Sequence, residues 1–172
     1  MIGRPVPTHR AFIVATLGLL PAVLAVLEPS VGLACVVLDG VLLGAVVLDF
    51  FRARRAEDFV IAREVDPVLS SHRPTRVRVR LELKPGSSGL VRGLLRDEVP
   101  AAANVEGHVV PLDFETATTI EYRLEPTTRG DLSFGDLWLR LEGPWGLCAR
   151  QVRVPCAQSV KVFPDLTALT KD

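Results

Sequence analysis

Three groups of residues have types and spacing that invite a chemical reading. Arg129-Gly130-Asp131 spells the tripeptide that cell-adhesion receptors read. Asp131-x-Ser133 opens like a D-x-S-x-S metal site, but position 135 is glycine, so the metal reading fails. Arg76, Arg78 and Arg80 form a row that suits phosphate or anionic lipid. A solvated sheet face explains the same row more simply, with Glu121 and Glu125 as cross-strand partners. From residue 59 onward, 15 Lys+Arg face 15 Asp+Glu, so no basic domain supports a phosphate site.

Nucleophilic catalysis needs a nucleophile, a base and an orienting group. The histidines are His9, His72 and His108, and none lies near a G-x-S-x-G. The chain has no phosphate loop, no H-E-x-x-H and no dinucleotide fingerprint. The expectation is therefore no enzyme, no cofactor and no metal. Cys35, Cys148 and Cys156 are odd in number and lack metal-type spacing, which argues against a disulfide framework or a zinc site. Lys+Arg and Asp+Glu are both 20, which gives no reason to expect a nucleic-acid partner.

The elements that would position such groups begin with two apolar runs. Residues 11–27 carry no charge, and after Glu28-Pro29-Ser30 residues 31–51 are again predominantly apolar. As helices the runs would be about 26 and 32 Å long, against a hydrocarbon core of about 30 Å. Neither shows a polar face at helical period, so a transmembrane α-hairpin with the lipid bilayer as partner is predicted. No A-x-A site follows the first run, which disfavours a cleaved signal peptide. Arg4 and Arg10 precede the first run, and Arg52, Arg54 and Arg55 follow the second. The turn between them has no Lys or Arg, so both termini and everything after residue 58 are expected in the cytosol.

Two acids lie within the second run, Asp39 in its interior and Asp49 near its cytoplasmic end. Asp39 needs a partner or a task there, since insertion scales charge it about 2.5–3.5 kcal/mol. Pro21 frees the carbonyl of Leu17, four residues earlier. Asp39 would lie about 12 Å and Leu17 about 15 Å from the shared turn. A protonated Asp39 is expected to donate to that carbonyl or to Thr16; a proton relay or an assembly contact is the alternative. Asp49, three residues before Arg52, is expected to pair with it at the interface.

From residue 59 the hydrophobic period becomes two. Phe59, Ile61, Arg63 and Val65 share one face, as do Val77, Val79, Leu81 and Leu83, and Ile120, Tyr122 and Leu124. Further strands are predicted at 90–97, 105–112, 148–154 and 158–163. Seven or eight strands in about 105 residues predict an all-β antiparallel sandwich of immunoglobulin or fibronectin type. Leu132 and Phe134 differ in parity from Leu137, Leu139 and Leu141, so one long strand bent by a bulge near Gly135-Asp136 is expected. Gly143-Pro144-Trp145-Gly146 suits a tight turn leading to a strand near Leu147. The resulting divisions are an anchor over 1–58, a sandwich over 59–165, and 166–172 as the start of a linker.

A series of residues then stands out: Tyr122, Leu124, Pro126, Arg129-Gly130, Phe134-Gly135, Leu137, Leu139-Arg140, Pro144, Gly146-Leu147 and Val160 to Pro164. Preceded by two membrane helices, it resembles the N-terminal half of the domain-of-unknown-function 58 family. Those are membrane-anchored bacterial proteins typically encoded beside MoxR-type AAA+ ATPases. The resemblance implies that Arg129, Gly130, Gly135, Pro144, Gly146 and Leu147 are structural, with Arg129-Gly130 an ordinary strand-entry turn. It also implies a continuation into a von Willebrand factor A-like domain, which would begin where this chain stops. The implied function is a scaffold or adaptor on the bacterial cytoplasmic membrane. It would work with a MoxR-type ATPase, and with other membrane or von Willebrand factor A-domain proteins, in assembling or remodelling envelope complexes. The competing expectation is an outward-facing binding module of the cell envelope.

Overall fold

A run such as Arg76 to Leu83 cannot bury both of its faces, so it must lie in a sheet with one side wet. The computed structural model describes residues 4–17 and 29–164 and bears this out along most of the chain. The chain divides into two compact units. One comprises residues 1–55 and 140–152, the other 56–139 and 153–172.

In the first unit, strand β1 (Arg4–Pro7) pairs antiparallel with β11 (Cys148–Val154), Arg4 opposite Gln151 and Pro7 opposite Cys148. Two prolines are tolerated in β1 because it is an edge strand. This strand had no counterpart in the hydropathy pattern. Residues 9–17 are helical, and Thr8 caps them by accepting from the Ala11 N–H at 3.4 Å. The rest of the predicted 11–27 helix, with Pro21, lies outside the described residues.

Helix α1 (Pro29–Arg52) begins with proline in its first turn and ends on a basic residue, both suited to those positions. Pro29 and Ser30, expected in a turn, are already helical. Over Gly32–Arg52, 21 residues, its mean hydropathy is 2.3. Leu33 and Val36 are 75% and 69% exposed, so the chain's own described residues leave that apolar surface uncovered. Among the described residues it is the one helix long and apolar enough to cross a membrane.

In the second unit, β2 (Phe59–Glu64), β4 (Thr75–Leu83), β8 (Ala117–Pro126) and β6 (Ala103–Glu106) form an antiparallel sheet in that order. Val77, Val79, Leu81, Leu83, Ile120, Tyr122 and Leu124 point inward, as the alternation predicted. A second sheet has the order β3 (Val68–Ser70), β12 (Gln158–Phe163), β9 (Gly130–Phe134). There β12 pairs antiparallel with β9 but parallel with β3, so the sheets are not all antiparallel as expected. A third pairing joins β5 (Val91–Asp97) and β7 (Val109–Phe114), and Phe59 meets Phe114 edge-on at 6.3 Å. Each buried Leu, Val or Phe side chain contributes about 1.5–3 kcal/mol.

Two strand predictions need correction. The 105–112 strand is two strands, β6 and β7, because Gly107 turns the chain at a φ of 81°. The bent strand around Gly135 is also two: β9 ends at Phe134, and β10 (Leu137–Glu142) begins in a different sheet. The parity shift was real, but it marks a change of sheet. Gly135 makes room for it, since a Cβ there would fall 2.5 Å from a Glu98 carboxyl oxygen.

Candidate functional site

Within the first unit, the most constructed site lies where α1 ends. Gly143 to Gly146 form the turn between β10 and β11, closed by the Gly146 N–H donating to the Gly143 carbonyl at 2.9 Å. A turn in this position leaves several N–H groups without strand partners. Asp49, in the last turn of α1 and fully buried, supplies the acceptors. Its Oδ1 accepts from the Trp145 N–H at 2.7 Å. Its Oδ2 accepts from the N–H groups of Leu147 at 2.8 Å and Cys148 at 2.9 Å. The expected Asp49–Arg52 pair is therefore replaced by a three-amide clamp: the buried carboxyl accepts three directed, charge-assisted N–H bonds, while Arg52 stays exposed.

Other groups reinforce the clamp. Thr8 Oγ1 lies 2.5 Å from the Gly146 carbonyl and 3.0 Å from that of Leu147. Arg150 donates to the Phe50 carbonyl at 2.8 Å, satisfying a helix-end acceptor, and its guanidinium lies 4.4 Å from the Phe50 ring centre. Arg52 sits 5.7 Å from the Trp145 ring centre. Burial is the main cause that raises the Cys148 thiol above its ordinary pKa. A Cβ at Gly143 would overlap the Asp49 carboxyl group. Gly143→Ala should accordingly displace the clamp and cost about 1–3 kcal/mol by overpacking, seen as a lowered melting temperature in detergent.

The second unit holds a separate buried polar cluster. Arg63, on β2, donates to Asp97 through Nε at 3.0 Å and Nη2 at 2.5 Å, with both side chains wholly buried. Its remaining donors reach the Cys156 carbonyl at 2.7 Å and the Gly135 carbonyl at 3.0 Å. Tyr122 donates its hydroxyl to Asp97 at 2.6 Å. Burial, and then that hydrogen bond, push the phenol well above its ordinary pKa, so it remains a donor. Phe134 lies beneath the guanidinium at 5.1 Å. These bonds join β2, β5, β8 and the loops at Gly135 and Cys156 through one buried ion pair.

Asp136 closes the loop between β9 and β10. It accepts from the Cys156 N–H at 3.0 Å and from Arg153 Nε at 2.5 Å. The amide bond first, and Arg153 as well, hold its carboxyl below the ordinary value of 3.8 against the opposing effect of desolvation. A depressed folded pKa contributes stability that is full above the unfolded value and is lost as pH falls through the folded one. Acid unfolding below pH 3.8 should therefore be less steep in Asp136→Asn, which a urea titration repeated across pH would show.

The arginine row lies on the exposed face of β4. Arg78 bonds Glu121 at 2.6 Å, as expected, and this contact raises the guanidinium pKa further. Arg80 turns to Glu82 at 3.4 Å, and Arg76 stands opposite Arg123. Arg76 and Arg78, with Arg63, Glu64, Val65 and Asp66, line an open groove of about 470 Å³. Acids and bases alternate there without convergence.

The remaining predicted residues fall at separate places. Asp39 is exposed on α1, and Thr16 donates to the Phe12 carbonyl at 2.8 Å. Arg129 and Asp131 are exposed, and Gly130 opens β9 at a φ of 110°, where glycine is favoured. Pro144, Gly146 and Leu147 belong to the clamped turn. Among the described residues, no group of three His, Cys, Asp or Glu side chains is arranged to hold a metal ion.

No protein-family model and no curated protein sequence matches the chain. Its structure is similar to the ASH/PapD-like domain of human CEP192 (PapD-like domain 7), at 10% identity and a TM-score of 0.40, over 65% of this chain and 91% of that one. It is also similar to a cohesin module from a Clostridium perfringens family 33 glycoside hydrolase, at 10% identity and 0.35, over 62% and 98%. The sandwich-like architecture rests on the sheets themselves.

Two features of these sites escaped the sequence. Arg63 shared a face with Phe59 and Ile61, and an arginine in an apolar stripe is itself a sign of a buried partner. Asp49 offered no such sign, because its partners are backbone amides 96 to 99 residues away.

Proposed function

We propose that the chain is a membrane-anchored β-sandwich scaffold, held by a hairpin of two transmembrane helices with both ends and the β region in the cytosol. The observation that carries this reading is the Asp49 clamp, which ties the end of an apolar helix to a β-turn by three hydrogen bonds. A mere tether would need none of them. The same reading places the protein beside a MoxR-type AAA+ ATPase in the assembly or remodelling of envelope complexes. Support for that partner comes from the resemblance running from Tyr122 to Pro164.

Sidedness tests the reading. Cys148 is buried with a raised thiol pKa and Cys156 is half-buried, so neither is a good reporter. Thr128→Cys places a thiol in the exposed loop before β9. A membrane-impermeant reagent should label it only in opened cells, above the level of the parent chain. Labelling in intact cells would remove a cytosolic ATPase as partner and favour an outward-facing binding module.

A further inference from the structure

We propose that the Gly143–Gly146 turn is itself a lipid-interface anchor, with the bilayer interface around α1, from the headgroup carbonyls to the first acyl carbons, as its partner. This rests on the membrane reading of α1. The 21-residue window Gly32–Arg52 is about 32 Å long, close to the thickness of a hydrocarbon core of about 30 Å. Arg52 then lies at the boundary, and Asp49 lies three residues, or about 4.5 Å, further in. The Asp49 carboxyl group is bonded to the amides of Trp145, Leu147 and Cys148, so the turn shares its depth.

What the turn exposes fits that depth. Trp145 remains 45% exposed, beside the Arg52 guanidinium. The Arg10 guanidinium lies against Gly146, 3.1 Å from where a Cβ would be. Phe51 and Phe12 are 65% and 61% exposed. Indole rings and snorkelling arginines are the side chains that favour the headgroup level, where one end is apolar and the other wet.

The chain has two tryptophans, so Trp138→Phe leaves Trp145 as the sole tryptophan, read by excitation that spares Tyr122. The full chain is reconstituted in liposomes whose lipids carry bromine near either the glycerol end or the methyl end of the acyl chain. Glycerol-end bromine should quench Trp145 about twofold more strongly than methyl-end bromine, and aqueous iodide should quench it weakly. In Asp49→Asn the lipid quenching should fall and the iodide quenching rise. A Trp145→Phe chain that keeps Trp138 supplies the same comparison by difference if the first variant folds poorly. Full iodide access without lipid quenching, in protein that still floats with the liposomes, would overturn the interface anchor and leave the membrane reading intact. Failure to float would overturn both.

Discussion

Asp49→Ala should release the β10–β11 turn from α1 and destabilise the first unit by about 3–5 kcal/mol, because three amide donors lose their acceptor at about 1–3 kcal/mol each and water recovers part of that loss. The direct readout is amide hydrogen exchange of Trp145, Leu147 and Cys148 in lipid nanodiscs. Their protection should fall by about a hundredfold or more, while the β4 and β8 amides keep theirs. Asp49→Asn keeps one carbonyl oxygen, which can serve part of the donor set, and should show an intermediate loss. Arg52→Ala should leave all three amides protected, since their acceptor is untouched. Unchanged exchange in Asp49→Ala would mean that the turn holds its own shape and that the carboxyl group is incidental.

Asp97→Ala should be as damaging in the second unit. It leaves the Arg63 guanidinium buried with carbonyl acceptors but no counter-charge, a change that costs about 3–5 kcal/mol in comparable sites. Tyr122 loses its acceptor at the same time. Against a typical total of about 5–15 kcal/mol, that is enough to lower yield as well as the urea midpoint. The informative control is the double variant Arg63→Met, Asp97→Leu. Apolar replacement of a buried pair is often neutral or stabilising, so stability should largely return. If the double variant is no better than Asp97→Ala, the bonds from Arg63 to Gly135 and Cys156 matter more than the ion pair.

Much of the sheet structure was legible because alternation is a local signal. The inward faces of β4 and β8 can be read directly from RVRVRLEL and TIEYRLE, and β12 and the start of β11 were placed to the residue. The tight turn at Gly143 was legible for the same reason, since proline and glycine fix its dihedral angles locally. Strand partnership was not. Nothing local distinguishes a bulge at Gly135 from a departure to another sheet, and the three-residue β3 is too short to show a period. The clamp was illegible in a deeper way. An aspartate three residues before an arginine on a helix predicts a local pair, whereas backbone amides carry no side-chain signature at all. Arg63 lies between these cases, its apolar neighbours signalling burial but not the partner.

The distance along the chain between Asp49 and its amides also sets an order of events during synthesis. The shortest of those bonds spans 96 residues. At about 5–20 residues per second, a ribosome takes roughly 5–20 s to supply the turn after α1 has been made. For that interval the acid at the helix end must be held by water, by headgroups or by the insertion machinery. A chain truncated before Trp145 would never progress beyond that stage. The bond set therefore closes only on a nascent chain that has grown past Cys148, and it separates a newly inserted anchor from a finished one.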